Sequence, residues 1–142
     1  MSEKLLSNAQ RAGIYYLPAN RRTAVEGTAE KLHFARPHVE ITPAMNIAAV
    51  LAGIGKALQF PDWYGANFDA LHDCLTDPGC LPGKGHVITV SGCEHLLTSA
   101  PDEFATLLEV LTAAIDELRE TNVPLWVLLD KPILDIPPLP AK

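Results

Sequence analysis

Residues 60–77 read FPDWYGANFDALHDCLTD, and this stretch crowds acidic and aromatic side chains together: Asp62, Trp63, Tyr64, Asp69, Asp73 and Asp77. From Asn67 onward the apolar spacing predicts a helix, because Phe68, Leu71 and Leu75 would fall on one stripe of its surface. A second stripe would carry the polar side chains Asp69, His72, Asp73 and Thr76. The pattern therefore predicts that one face of this helix packs against the protein and the other points outward.

The aspartates of this helix work against its stability. Asp69, Asp73 and Asp77 are spaced four residues apart, so like charges stack on one side and each neighbouring pair costs a few tenths of a kcal/mol. Aspartate is also a poor interior helix former, and only Asp69 would lie in the first turn, where the helix dipole favours an anion. A face that is merely solvated is the simple alternative, but such a face usually intersperses Lys or Glu. We therefore interpret the acidic face as a surface that binds a partner.

Residues 58–77, LQFPDWYGANFDALHDCLTD, resemble the signature segment of the barstar family, which comprises small intracellular inhibitors of secreted ribonucleases such as barnase. The resemblance rests on Pro61 before an acidic-aromatic-Tyr-Gly turn, on Asn67 after that turn, and on the Asp-Ala-Leu-x-Asp-Cys-Leu-Thr helix. It implies the α/β fold of that family, a small parallel sheet of three or four strands packed with α-helices.

The resemblance extends from about Lys31 to Asp130. It does not cover the flanks, but a chain of 142 residues is expected to form one domain, here a single barstar-like domain over 1–142. In this interpretation the core lies at about 31–130, with an N-terminal extension at 1–30 and a tail at 132–142. The Pro-rich composition of the tail predicts that it frays, and a polyproline II ligand for another domain is the alternative.

The resemblance also implies roles for individual side chains. Asp73 would enter the active site of a ribonuclease in place of an RNA phosphate, and Asp69 would make a neighbouring charged contact. Trp63 would stack at the mouth of that active site and His72 would touch the enzyme, while Glu117 would contribute from the last long helix. The expected partner-binding residues are Trp63, Asp69, His72, Asp73, Thr76, Asp77 and Glu117.

The partner implied by the resemblance is a basic, secreted, barnase-like ribonuclease, which a monomer of this chain would block stoichiometrically. Such an inhibitor needs no cofactor and catalyses no reaction. The best-known family member has Tyr where this chain has Trp63, Trp where it has His72, and Gly-Trp where it has Asp77-Pro78. The change to His72 removes contact area and adds a group that titrates near neutrality. The identity of the cognate enzyme therefore stays open, and His72 could equally be an ordinary surface histidine.

Charge and composition restrict the partner independently of the family. The chain has 17 acidic and 11 basic residues and a net charge of −6, which disfavours direct binding of nucleic acid and attracts a basic protein. No apolar run approaches the ~20 residues that cross a bilayer, and the N-terminus lacks the apolar core of a signal peptide. Three cysteines form no disulfide framework and predict free thiols. These observations predict a cytoplasmic protein.

Apolar periodicity predicts alternating strands and helices, as in an α/β domain. Strands are predicted at 31–36, 86–90 and 125–129, with a further edge strand at 13–18 and a short helix at 20–30. Thr42-Pro43 would cap a helix that ends near Gln59, and Ser99 with Pro101 would open a long amphipathic helix. Between Trp63 and Tyr64 we predict a division of labour, in which Tyr64 packs inward and Trp63 points outward.

Two other functions are compatible with parts of the sequence. Zinc could use soft ligands among His72, Cys74, Cys80, Cys93 and His95, but their spacings do not form paired C-x-x-C knuckles. A cysteine hydrolase built on Cys74 is disfavoured further, because nothing marks an oxyanion hole or an orienting third group. A third alternative keeps the fold but has the acidic helix recognise a basic protein that is not a ribonuclease.

Overall fold

The structure, a computed structural model, describes residues 3–141. Four β-strands and six α-helices alternate along this part of the chain, with a 3-10 turn at Ala19–Arg21. In chain order they are α1 (Glu3–Leu6), β1 (Ile14–Tyr16), α2 (Arg22–Lys31), β2 (His38–Glu40), α3 (Ile47–Ala57), α4 (Phe68–Thr76), β3 (His86–Ser91), α5 (Cys93–Ser99), α6 (Pro101–Glu120) and β4 (Leu125–Leu129). None of these helices is long and apolar enough to span a membrane.

The four strands form one parallel sheet in the order β1-β4-β3-β2. All five residues of β4 are buried, as expected for an apolar strand in a parallel sheet that is covered on both faces. Helices α3, α4 and α6 pack on one face around Ile54, Leu75, Ile88, Phe104 and Leu111. This arrangement confirms the predicted α/β fold and fixes the number of strands in the described residues at four.

The N-terminal extension packs into the same core. Leu5 and Leu6 are buried, and the Trp126 indole Nε1 donates a hydrogen bond of 2.9 Å to the carbonyl of Leu6. The Arg119 guanidinium donates to the carbonyls of Ala9 and Ala12. Strand β1 lies within the predicted edge segment 13–18, and α2 lies at the predicted short helix.

Residues 132–141 of the tail pack against the sheet, so the prediction that the tail frays is wrong for these residues, while residue 142 lies outside the described part of the chain. Ile133 and Leu139 are buried. The Tyr16 amide donates to the Pro137 carbonyl at 2.8 Å, and the Leu139 amide donates to the Tyr16 carbonyl at 2.8 Å. The Pro-rich composition of the tail predicts fraying. The backbone partners that hold the tail lie in β1, which is distant in sequence, so composition could not show them.

The first predicted core strand, 31–36, is also wrong. Helix α2 continues through Lys31, and His33 adopts a left-handed conformation with φ of 60°. The amides of His33 and Phe34 then bond back to the carbonyls of Glu30 and Ala29, which is a Schellman C-cap. Leu32 and Phe34 therefore belong to the end of a helix. Ala35 forms a single parallel bridge to His86, and strand β2 follows at His38–Glu40.

The helix boundaries differ from the predicted ones at two other places. Helix α3 is capped by Asn46, whose side chain accepts from the Ala49 amide at 2.9 Å, because residues from Thr42 first form a separate turn. The long helix α6 has Ala100 as its N-cap residue, and Ser99 instead ends α5, a short helix that the periodicity did not predict.

His86 begins β3 as a buried histidine whose ring nitrogens lack hydrogen-bond partners among the described residues. It is only 1% exposed, and neither ring nitrogen has a hydrogen-bond partner in the described residues. Burial lowers its pKa to about 4. The folded protein therefore holds His86 neutral at pH values where an unfolded chain would protonate it.

The free energy of unfolding should decrease in mild acid because of His86. Below about pH 6.5 the unfolded chain gains a proton at His86 that the folded chain takes up only near pH 4, so its contribution to stability falls by about 2 kcal/mol between about pH 7 and pH 5. Urea unfolding at both pH values measures the loss. The variant His86→Leu should show a smaller loss by about this amount, and an equal loss in both proteins would contradict the assignment.

Candidate partner-binding surface

The turn before α4 is held by Tyr64. Its hydroxyl donates to the Leu51 carbonyl at 2.9 Å, and its ring meets Phe60 edge-on at a centroid distance of 5.0 Å. Gly55 leaves room for this ring, because a Cβ at that position would lie 2.4 Å from it. Burial, with a smaller effect of the Cys74 thiol, raises the pKa of Tyr64 to about 12. Tyr64 is thus an internal anchor of the turn.

Trp63, next to this anchor, is 65% exposed. The predicted division of labour between the two aromatic residues is therefore confirmed. Trp63 is therefore accessible to a partner, and its contact with one stays a prediction.

Helix α4 begins where the sequence predicts. The Asn67 side chain accepts from the Ala70 amide at 2.8 Å as N-cap, and Asp69 lies in the first turn. Leu71, Cys74 and Leu75 are buried against the protein. Asp69 and Asp73 are exposed, and the Asp73 side chain keeps 77% of its surface. The amphipathic division of the helix therefore matches the predicted stripes.

His72 connects α4 to α6 through a side-chain contact. Its Nε2 lies 2.9 Å from Glu117 Oε2, and its Nδ1 lies 3.7 Å from Asp73 Oδ1. Glu117, half exposed, was placed on the partner surface by resemblance, and the packing of α6 against α4 does bring it beside His72 and Asp73. The contact between His72 and Glu117 was not predicted, because nothing in the sequence shows which faces of two distant helices meet.

Thr76 and Asp77 have local bonds within their own segment. The Thr76 hydroxyl donates to the His72 carbonyl at 2.9 Å. The Asp77 carboxylate accepts from the Gly79 amide at 2.8 Å and from the Cys80 thiol at 3.6 Å. Both residues end α4 and start the following loop, and their contact with a partner stays a prediction.

The acidic surface, defined as Trp63, Asp69, His72, Asp73 and Glu117, is poorly neutralised. Among residues 3–141, no Lys or Arg forms an ion pair with Asp69, Asp73 or Glu117. An exposed cluster of this kind attracts cationic groups and speeds the encounter with a basic partner.

The cysteines and histidines considered as zinc ligands do not come together as a metal site in the described residues. Within the part of the chain that the structure describes, no group of three or more His, Cys, Asp or Glu residues could hold a metal ion. All three cysteines are buried and free. Burial, together with the neighbouring Cys74 thiol and the Asp77 carboxylate, raises the pKa of Cys80, and burial raises the pKa of Cys93 to about 12. Both shifts suppress the thiolate form that reacts.

Comparison with known proteins identifies relatives of this chain. A sequence model of the family described as "Barstar (barnase inhibitor)" matches residues 34–130. "Putative ribonuclease inhibitor YrdF" of Bacillus subtilis (strain 168) is 36% identical over 75 residues, which cover 53% of this chain and 79% of that protein. Among solved structures, a chain in "Structure of Drosophila ORC bound to DNA" aligns with a TM-score of 0.49 and 19% identity. That alignment covers 91% of this chain and 35% of the other, and it carries no argument about fold or function.

Proposed function

The chain belongs to the barstar family, and from this premise we propose that it is a protein inhibitor of a ribonuclease whose active site it blocks with α4. The observation that carries the proposal is the exposure of the Asp73 carboxylate. This carboxylate projects from the outward face of α4, is largely exposed, and forms no ion pair with a Lys or Arg of residues 3–141. A carboxylate placed in this way can occupy a site that cations build for a phosphate.

The neighbours of Asp73 suit the same role. Asp69 lies one turn earlier on α4 and Glu117 lies on α6. Both are exposed, as is Trp63 in the turn before α4. Ribonucleases bind a polyanion, and their active sites are therefore basic. We propose that the carboxylates take the place of RNA phosphates and that Trp63 stacks at the edge of the site.

The finer proposal concerns the partner. We expect a small, basic, secreted enzyme of the barnase type, bound one to one by a monomer of this chain in the cytoplasm. His72 and Asp77-Pro78 differ from the best-known family member at positions beside the proposed contacts, so the cognate enzyme would differ from barnase in the complementary surface.

Titration of ribonuclease activity tests the function. Purified protein is added to barnase and to other small basic secreted ribonucleases, and cleavage of a fluorogenic RNA is followed. The expected result is a linear loss of activity of one such enzyme that ends at one molecule of inhibitor per enzyme. Failure to inhibit any of them, together with tight binding of a basic protein that is not a ribonuclease, would contradict the proposal and favour a general acidic binding module.

The rate of association should depend strongly on salt. Because acidic residues of the inhibitor would steer it toward a basic enzyme, the association rate constant should fall by roughly tenfold or more from low to high ionic strength. Stopped-flow mixing at several salt concentrations measures it. A rate constant that hardly changes would show that electrostatic steering does not operate.

A further inference from the structure

We propose that His72 is a positioning residue, which fixes the Glu117 carboxylate beside Asp73 so that the two acids form a preset pair for the partner's cations. The inference rests on the proposed function and deepens it. It assigns to His72 a role that acts through Glu117, where the resemblance alone implied direct contact with the enzyme.

The geometry of the three side chains carries the inference. His72 Nε2 reaches Glu117 Oε2 at 2.9 Å, which is a hydrogen-bond distance, and the two residues lie on different helices. His72 Nδ1 lies 3.7 Å from Asp73 Oδ1, beyond such a distance. The Asp73 carboxylate therefore stays available to a partner while the Glu117 carboxylate is held in place.

The exposed fractions of the His72, Glu117 and Asp73 side chains are consistent with a positioning role for the imidazole. His72 retains 35% of its side-chain surface, against 51% for Glu117 and 77% for Asp73. The imidazole thus lies deeper than the carboxylates. The contact with His72 is made by Oε2 of Glu117, and a carboxylate has a second oxygen, Oε1, that can accept from a cationic side chain.

Holding Glu117 should strengthen the complex by reducing the ordering that binding requires. A free glutamate loses rotamer freedom when an interface immobilises it, and a preorganised one has already lost that freedom. The expected contribution is about fivefold in Kd. The preset pair also selects partners, because a ribonuclease must offer cations to Asp73 and to Glu117 at one spacing.

Holding α4 against α6 does not require this contact. Leu71 and Leu75 of α4 and Leu111 and Ala114 of α6 are buried in the same core. Loss of the imidazole should therefore leave the helices packed and affect mainly the position of Glu117.

A double-mutant cycle tests the inference. The ribonuclease probe is the enzyme that wild type inhibits in the titration above, beginning with barnase. His72→Ala should weaken the complex about fivefold, and the double variant with Glu117→Ala should bind about as well as Glu117→Ala alone. The matched control is Glu109→Ala, which removes an exposed carboxylate two turns earlier on α6. Its effect on the binding free energy should add to that of His72→Ala.

Two further variants separate positioning from contact area. His72→Gln keeps an N–H donor and should restore part of the coupling to Glu117, whereas His72→Phe keeps a ring and should abolish it. Urea unfolding checks that each variant is folded. Additive losses for His72 and Glu117 would overturn the positioning role while leaving the inhibitor proposal intact. Failure of wild type to inhibit any ribonuclease would overturn both.

Discussion

Replacing Asp73 with alanine is expected to weaken the complex with the ribonuclease by about 4 kcal/mol, roughly 1,000-fold in Kd. Asp73 lies in the middle of the outward face of α4, between Asp69 and Asp77 in sequence. In the proposed complex its carboxylate would be desolvated among cations. Its removal would leave those cations buried without a partner, and that penalty makes the loss large.

Two controls make this result interpretable. Asp69→Ala should raise Kd less than Asp73→Ala does, because Asp69 is expected to make a neighbouring contact at the side of the enzyme's active site. Asp135→Ala makes the same chemical change at an exposed site in the tail and should leave Kd nearly unchanged. Kd is obtained from the inhibition of RNA cleavage or from calorimetry. Equal binding by wild type and Asp73→Ala would refute the proposed role of α4.

Replacing Gly92 with alanine is expected to lower the free energy of unfolding by about 4 kcal/mol. Gly92 connects β3 to α5 with a φ of 84°, a conformation that disfavours a side chain. A Cβ there would lie 1.9 Å from the Ile41 carbonyl oxygen. This oxygen belongs to backbone, which follows β2 and is fixed to β3 by the bond from the Ile41 amide to the Ser91 carbonyl, so it cannot move away cheaply.

The same substitution at Gly27 is expected to change the free energy of unfolding in the opposite direction. It lies in α2, and a Cβ there would meet no atom within 4 Å. Gly27→Ala should raise the free energy of unfolding by about 0.8 kcal/mol, because alanine has the higher helix propensity. Urea unfolding of both variants gives the comparison. A stable Gly92→Ala protein, within about 1 kcal/mol of wild type, would show that the connection can rearrange.

The elements that were predicted correctly are those whose signals are local. Helix α4 combines its own N-cap, Asn67, with its own apolar stripe, and β3 and β4 are short apolar runs. The segment 31–36 shows where local signals mislead. Its apolar residues fit a strand equally well, but two backbone bonds to α2 make it a helix cap.

The remaining features depend on contacts between distant segments. The ordered tail needs β1 as its partner, and the contact between His72 and Glu117 needs the packing of α4 on α6. Resemblance placed Glu117 on the surface, yet neither resemblance nor periodicity could show its neighbour. The local bonds of Asp77 were missed for a different reason, since an aspartate before a Pro-Gly pair can serve a turn as well as a partner.

The ordered tail also protects the sheet. An outer strand with unused amides and carbonyls is a template on which a second chain can add a strand, and such additions lead to aggregation. At Tyr16 both backbone groups are already bonded, the amide to Pro137 and the carbonyl to Leu139. At this point the β1 edge is closed to another chain, so Pro137 and Leu139 of the tail protect the protein there against strand-mediated self-association.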